Sequence, residues 1–231
     1  MMNRIIYIET STSLCTVALS EDGQIVTTRE CATARSQAAM TAPLVQQMLS
    51  DRGIAVRDCD AICVSKGPGS YTGLRVGSST AKGLCFGAGL PLIAVGTLDT
   101  LVWGAMEQGL VPEGCKYIVP MIDARRMEVY SAVFSNGGEQ LTETEPVIVD
   151  GSSFADRLEE GPVLFIGDAA DKCRGTLTHP NARFLQCCPR AEWMCTPANR
   201  AFNEKRFENT AYFEPFYLKQ FVATVSSKKL F

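Results

Sequence analysis

Residues 61–88 read AICVSKGPGSYTGLRVGSSTAKGLCFGA, and their order of strand, loop and helix decides how the rest of the chain is read. Ala61, Ile62, Cys63 and Val64 form a short apolar run with β-branched members, which suits a buried strand bounded by a turn. Gly67-Pro68-Gly69-Ser70-Tyr71-Thr72-Gly73 then sets three glycines and a proline in seven residues, where the backbone can take positive φ and approach another segment or a ligand closely. Ser70 or Thr72 is placed to cap the helix expected from Leu74 to about Gly87. Along it Gly77, Ser78, Ser79, Ala81, Gly83 and Gly87 leave much of the surface without bulk. Each interior glycine costs about 1 kcal/mol against alanine, so a helix that carries several needs close backbone contact.

Two readings of the loop stay open. Gly67, Gly69, Ser70, Thr72 and Gly73 lie at a helix N-terminus, where backbone amides form a ready anion or nucleotide site. A tight strand-to-helix corner explains the same residues, because the loop lacks the Lys-Ser/Thr ending of a P-loop and the spacing of a dinucleotide fingerprint. Upstream, Arg4–Glu9 and Leu14–Ser20 read as strands, Glu21-Asp22-Gly23 as a hairpin turn and Gln24–Arg29 as a returning strand. The connection Thr10-Ser11-Thr12-Ser13 offers hydroxyls and amides that suit an anion and equally an ordinary turn.

A helix is expected from Gln37 to about Asp51. Ala38, Ala39, Met40, Ala42, Leu44, Val45, Met48 and Leu49 spread apolar side chains around more than half its circumference. One face covers a sheet; the remainder calls for a partner, or else the helix is buried in its own domain. Pro43 is expected to kink or break it.

The second half starts again with strands. After Leu92–Val95, Thr97 caps a helix through Leu98, Leu101, Val102 and Met106, and the turn residues Gly109 and Pro112-Glu113-Gly114 mark a transition, giving domains 1–100 and 101–231. Tyr117–Ile122 and Met127–Ser135 flank the turn Asp123-Ala124-Arg125-Arg126, where Asp123 and Arg125 are candidates either for substrate or for a local cap and ion pair. Strands at Val147–Val149, Val163–Ile166 and Arg183–Cys187 follow, with helices at Ser152–Leu158 and from Ala191 to about Phe207. Gly167-Asp168-Ala169-Ala170 reads as a strand-to-helix turn.

Composition bounds the function. The chain has 231 residues, 46% hydrophobic, with net charge −3, so it has no basic footprint of an autonomous nucleic-acid binder. The N-terminal apolar run Ile5–Ile8 is short and no 18-residue apolar stretch occurs; no membrane span is expected and the cytoplasm is the expected compartment. Ten cysteines without paired CxxC spacing and a single histidine, His179, argue against a disulfide scaffold or a histidine-rich metal site.

The string GPGSYTGLRVGSSTAKGL resembles the signature of the TsaB family, the dimerisation subunit of the bacterial machinery that makes threonylcarbamoyladenosine in tRNA. IDARRMEVYSAVF resembles a second signature of that family, and Pro215, Tyr217, Leu218 and Lys219 its usual C-terminal segment. The resemblance implies an α/β fold of two actin-like domains, each a mixed sheet flanked by helices, with the tail packing back on the first domain. It implies a non-catalytic subunit that holds no metal or cofactor, pairs with a TsaD-like catalytic subunit and a TsaE-like ATPase, reaches tRNA only through that complex, and forms a weak homodimer alone. On the same reading Met40, Leu44, Met48, Arg75, Ser78, Ser79, Ala81, Lys82 and Gly83 form the partner interface. Glu9 stands where the family usually has Asp, and Gln37 near where relatives often have His. The alternatives are an ATP-dependent small-molecule kinase using the Thr10–Ser13 and GPGSYTG loops, or a metallopeptidase-like hydrolase.

Overall fold

A computed structural model describes residues 2–33 and 36–218; Lys219, expected in the C-terminal segment, lies outside them. The chain opens with β1 (Arg4–Glu9), β2 (Cys15–Glu21) and β3 (Gln24–Cys31), then α1 (Gln37–Ser50), β4 (Ala61–Ser65), α2 (Tyr71–Ala88), β5 (Leu92–Val95) and α3 (Thr97–Glu107). It continues with β6 (Tyr117–Asp123), β7 (Glu128–Ser131), β8 (Phe134–Ser135), β9 (Glu145–Ile148), α4 (Ala155–Glu160), β10 (Val163–Gly167), α5 (Ala170–Cys173), β11 (Ala182–Gln186) and α6 (Cys195–Asn203). Asp22 and Gly23 both take positive φ, the geometry of a two-residue turn matched to strand twist. This turn sets the register Glu21 opposite Gln24.

The two sheets share one plan. The first runs β3-β2-β1-β4-β5 and the second β9-β7-β6-β10-β11, with β8 added beside β6. In each, the first two pairings are antiparallel and the last two parallel. The fold is therefore α/β, two mixed sheets flanked by helices, as the resemblance implies.

Alternation along the first sheet separates its two faces. Ile6, Ile8, Val17, Leu19, Ile62 and Val64 meet Leu44, Val45, Met48 and Leu49 of α1 and Ala81 and Cys85 of α2. Ile5, Tyr7, Ala18, Ala61, Cys63 and Ile93 meet Met194, Cys195 and Ala198 from the end of the chain. The helices cross over between sheets. Leu98, Leu101 and Val102 of α3 lie on Ile118, Ile122, Leu164 and Ile166 of the second sheet, while α6 lies on the first.

Several boundaries differ from expectation for local reasons. Thr97 is the first residue of α3 rather than its cap; Gly96 takes the cap position and the Thr97 hydroxyl lies 2.9 Å from that of Ser65. The expected strand Met127–Ser135 is interrupted between β7 and β8, which pair with β6 in one continuous register, because the Val133 backbone bonds instead to Leu141 N–H and the Thr142 hydroxyl. The closing helix is shorter than expected, a 3-10 turn over Ala191–Met194 followed by α6. Pro43 sits inside an uninterrupted α1.

Candidate functional site

The glycines of the central motif split into two sets. Gly69, Gly73 and Gly77 face the β1–β2 connection: a methyl group on any of them would overlap Ser11 carbonyl oxygen, Thr10 carbonyl oxygen or Thr10 Oγ1 respectively. The motif and the Thr10–Ser13 loop are thus interlocked backbone to backbone. Ser70 N–H donates to the Ser11 carbonyl at 2.6 Å, Thr10 Oγ1–H donates to the Gly73 carbonyl at 2.8 Å, and the Ser70 hydroxyl caps α2 by accepting from Gly73 N–H at 3.3 Å. Ser11 N–H donates to Glu9 Oε1 at 2.6 Å. The Ser11, Ser70, Gly73 and Leu74 amides, which an anion between these loops would take up, are engaged inside the protein.

Glu9 closes this corner from below. It is fully buried, and burial raises its carboxyl above the ordinary range against the opposing bonds from Ser11 and Ser65. Its second oxygen, the Ser11 hydroxyl and the Thr12 hydroxyl are buried without a hydrogen-bond partner. Thr72 lies exposed at the start of α2, and Gly67, at φ +100, packs between Leu74 and the Phe216 backbone. Gln37, the first residue of α1, donates from Nε2 to the Thr12 carbonyl at 2.9 Å and clasps the helix to the loop.

The second set of glycines behaves differently. Around the added-methyl positions of Gly83 and Gly87 no atom of the described residues lies within 4 Å, the adjacent residues and the helix's own backbone aside. They belong to the outer face of α2 with Arg75, Ser79 and Phe86, whose ring is 90% exposed. α1 packs beside α2 on the same sheet, and turns Ala38, Ala39, Ala42 and Pro43 outward. The two helices together present a surface of small residues from which Phe86 projects.

This corrects much of the expected interface. Leu44 and Met48 point into the chain's own core, and Met40 packs against it, because the bulky side chains of α1 repeat at the spacing that faces the sheet. Ser78 and Ala81 are likewise buried. Lys82 reaches across to donate to the Ala211 and Phe213 carbonyls, both at 3.1 Å, so it holds the tail. Arg75, Ser79 and Gly83 remain outside, on the same exposed surface as Ala38, Ala39, Ala42, Pro43, Phe86 and Gly87. Those of α2 lie opposite the Leu74-Ala81-Cys85 stripe, at three- and four-residue spacing.

In the second half, Asp123 and Arg125 form a local turn. Asp123 Oδ1 accepts from Arg125 N–H at 2.9 Å and pairs with Lys172. Lys172 Nζ also donates to the Arg126 carbonyl at 2.9 Å and the Glu128 carbonyl at 2.7 Å, bracing a turn in which Arg125 and Arg126 both have positive φ. Asp168 accepts from Asp123 N–H at 2.8 Å, and burial pushes its carboxyl up to about 6. Among the described residues no cluster of three or more His, Cys, Asp or Glu is arranged to hold a metal ion, and no helix is long and apolar enough to cross a membrane.

Residues 30–225 match the family model described as TsaD, tRNA N6-adenosine threonylcarbamoyltransferase. The tRNA threonylcarbamoyladenosine biosynthesis protein TsaB of Escherichia coli strain K12 is 33% identical over 95% of this chain and 96% of its own length. The chain belongs to the TsaB family. The TsaB protein of Bacillus subtilis strain 168 is 33% identical over 71% of this chain and 70% of its own length. Among solved structures, YeaZ from Pseudomonas aeruginosa superposes with a TM-score of 0.76 at 25% identity, covering 94% of this chain and all of its own.

Proposed function

We propose that this TsaB-family chain serves threonylcarbamoyladenosine biosynthesis in tRNA as a non-catalytic activating subunit, docking on a TsaD-like catalytic subunit through the outer faces of α1 and α2. The observation that carries the reading is the pair Gly83 and Gly87. Each interior helical glycine costs up to about 1 kcal/mol against alanine, and among the described residues no side chain or other segment occupies the space beside them. Two helices that approach another pair closely need such residues, and Phe86 supplies an apolar knob at the centre.

In this reading residues 1–100 are the partner-binding domain and 101–231 the second domain, with the chain's end returning to the first. The same face supports a weak homodimer when the catalytic subunit is absent; a TsaE-like ATPase joins the complex, tRNA is met only within it, and the compartment is the cytoplasm.

The test is Gly83→Arg in the full chain. Binding to the catalytic subunit, measured by titration calorimetry, is expected to weaken at least tenfold while the thermal midpoint of the isolated chain does not fall, since the substitution replaces an exposed interior helical glycine by a good helix former. Unchanged affinity overturns the interface.

A further inference from the structure

Cys15 begins β2 and Cys31 ends β3, and the register makes them direct partners, the terminal pair of that antiparallel ladder. Directly opposed residues of antiparallel strands have Cα atoms about 4.5–5.5 Å apart, inside the range of about 4.4–6.8 Å that a disulfide spans. Direct partners share a sheet face; here Cys15 belongs to the core under α1 and Cys31 packs against it. Leu14 and Ala32 lie outside the strands, so the backbone beyond the pair is not held by the ladder.

Both thiols touch the start of α1. Cys31 Sγ lies 3.2 Å from Ser36 Oγ and Cys15 Sγ 3.4 Å from Thr41 Oγ1. Their environments pull in opposite directions. The Ser36 hydroxyl, with Thr33 adding further bonds, holds the half-exposed Cys31 thiol below its ordinary range, while burial holds Cys15 above it. Burial likewise raises Cys59, Cys63, Cys85, Cys115, Cys173 and Cys195, and pushes Cys187 up to about 12. A more acidic, accessible thiol at a helix start beside a buried second thiol is the arrangement of an attacking and a resolving cysteine.

We propose that Cys31 and Cys15 form a reversible redox pair that responds to hydrogen peroxide. The Cys31 thiolate attacks one peroxide oxygen; the O–O bond breaks, Cys31 becomes a sulfenic acid, and the leaving hydroxide takes up a proton as water. The Cys15 sulfur then attacks the sulfenic sulfur, its thiol proton leaves with the displaced hydroxide as a second water, and a disulfide closes. Two thiols are oxidised by two electrons and one peroxide is reduced to two waters; a dithiol reductant reverses the change. Closing the bond withdraws both sulfurs from Ser36 and Thr41, in the first two turns of α1, so oxidation alters the docking face; this last step rests on the function proposed above.

The experiment treats the full chain with hydrogen peroxide, alkylates the remaining thiols and digests with trypsin without reduction. Cleavage at Arg4, Arg29 and Arg35 separates Cys15 in peptide 5–29 from Cys31 in peptide 30–35. A linked species two hydrogens lighter than the sum of these peptides is expected, lost on dithiothreitol treatment and in Cys31→Ser, whereas Cys15→Ser accumulates Cys31 sulfenic acid that dimedone traps. Peptide 30–35 recovered fully alkylated while other cysteines oxidise, or linked only to another cysteine, overturns the pair. In the second arm, oxidation is expected to weaken binding to the catalytic subunit at least threefold in the wild type and not in the Cys15→Ser/Cys31→Ser variant. A disulfide that forms without changing affinity overturns the coupling to α1. A chain that binds the catalytic subunit but forms no disulfide overturns the redox pair and leaves the interface standing.

Discussion

Alanine placed at two glycines of the same helix is expected to act with opposite signs. Gly83 lies inside α2 with no side chain or other segment of the described residues within 4 Å of an added methyl, so Gly83→Ala gains helix propensity and restricts the unfolded chain, together about 0.4–1 kcal/mol. For a chain of this size that raises the thermal midpoint by about 1–4 °C. Ten residues earlier, the methyl of Gly73→Ala would overlap the Thr10 carbonyl oxygen, which is backbone and cannot swing aside. Overpacking costs about 1–3 kcal/mol, and loosening the Thr10 Oγ1 bond to the Gly73 carbonyl adds about 0.5–1.5 kcal/mol. Against at most about 1 kcal/mol of propensity, the net loss is about 0.5–3.5 kcal/mol. Urea unfolding followed by the fluorescence of Trp103 and Trp193, at concentrations where the chain is monomeric, separates the two. A Gly83→Ala midpoint below wild type at unchanged slope, or a Gly73→Ala midpoint equal to it, would refute the division of these glycines into an inward and an outward set.

Asp168→Asn tests the buried carboxyl. The folded state holds the Asp168 proton more tightly than the unfolded chain, at about 6 against 3.8, so its contribution is present below about pH 4 and lost as pH rises through about 6. About two units at ~1.4 kcal/mol each, reduced for partial exposure, give about 1–3 kcal/mol. The amide keeps the bond from Asp123 N–H, so the variant is expected to be more stable at pH 7.5 and to lose less stability between pH 4 and 6 in urea titrations; an unchanged slope contradicts the assignment. Lys172→Met removes the brace on Asp123 and the Arg126 and Glu128 carbonyls, and is expected to lower stability by about 1–3 kcal/mol, with amide exchange accelerated first in residues 123–128. An undisturbed exchange pattern there would show that the turn holds itself.

Much of the fold was legible because its strands carry their own signal. Ile5–Ile8, Ile62–Val64 and Val163–Ile166 are short β-branched runs, and the Asp22-Gly23 turn could only close a hairpin. The site was less legible, and α1 shows why. Counting Met40, Leu44 and Met48 as surplus apolar surface assumed that one sheet could not use so many; in the structure they all face inward, and the residues that turn out are Ala38, Ala39, Ala42 and Pro43 with the polar Gln46, Gln47 and Ser50. What the first two turns of α1 present outward is therefore small rather than bulky and apolar. In the second helix Gly77, Ser78, Ser79, Ala81, Gly83 and Gly87 looked alike as residues without bulk, and Gly73 read as the end of the loop before it. What divides them is helical phase: Gly73 and Gly77 share the flank that meets Thr10, while Ser79, Gly83 and Phe86 lie across the axis. That phase is set by Leu74, Ala81 and Cys85, and two of those three are themselves small, so the stripe that would have oriented the helix was the faintest in the chain. The same limit hides the thiol pair: sixteen positions separate Cys15 from Cys31, and no spacing rule joins them. The turn at Asp22-Gly23 folds one strand back on the other, and the one-residue register shift between Leu19 and Ser20 then brings Cys15 opposite Cys31.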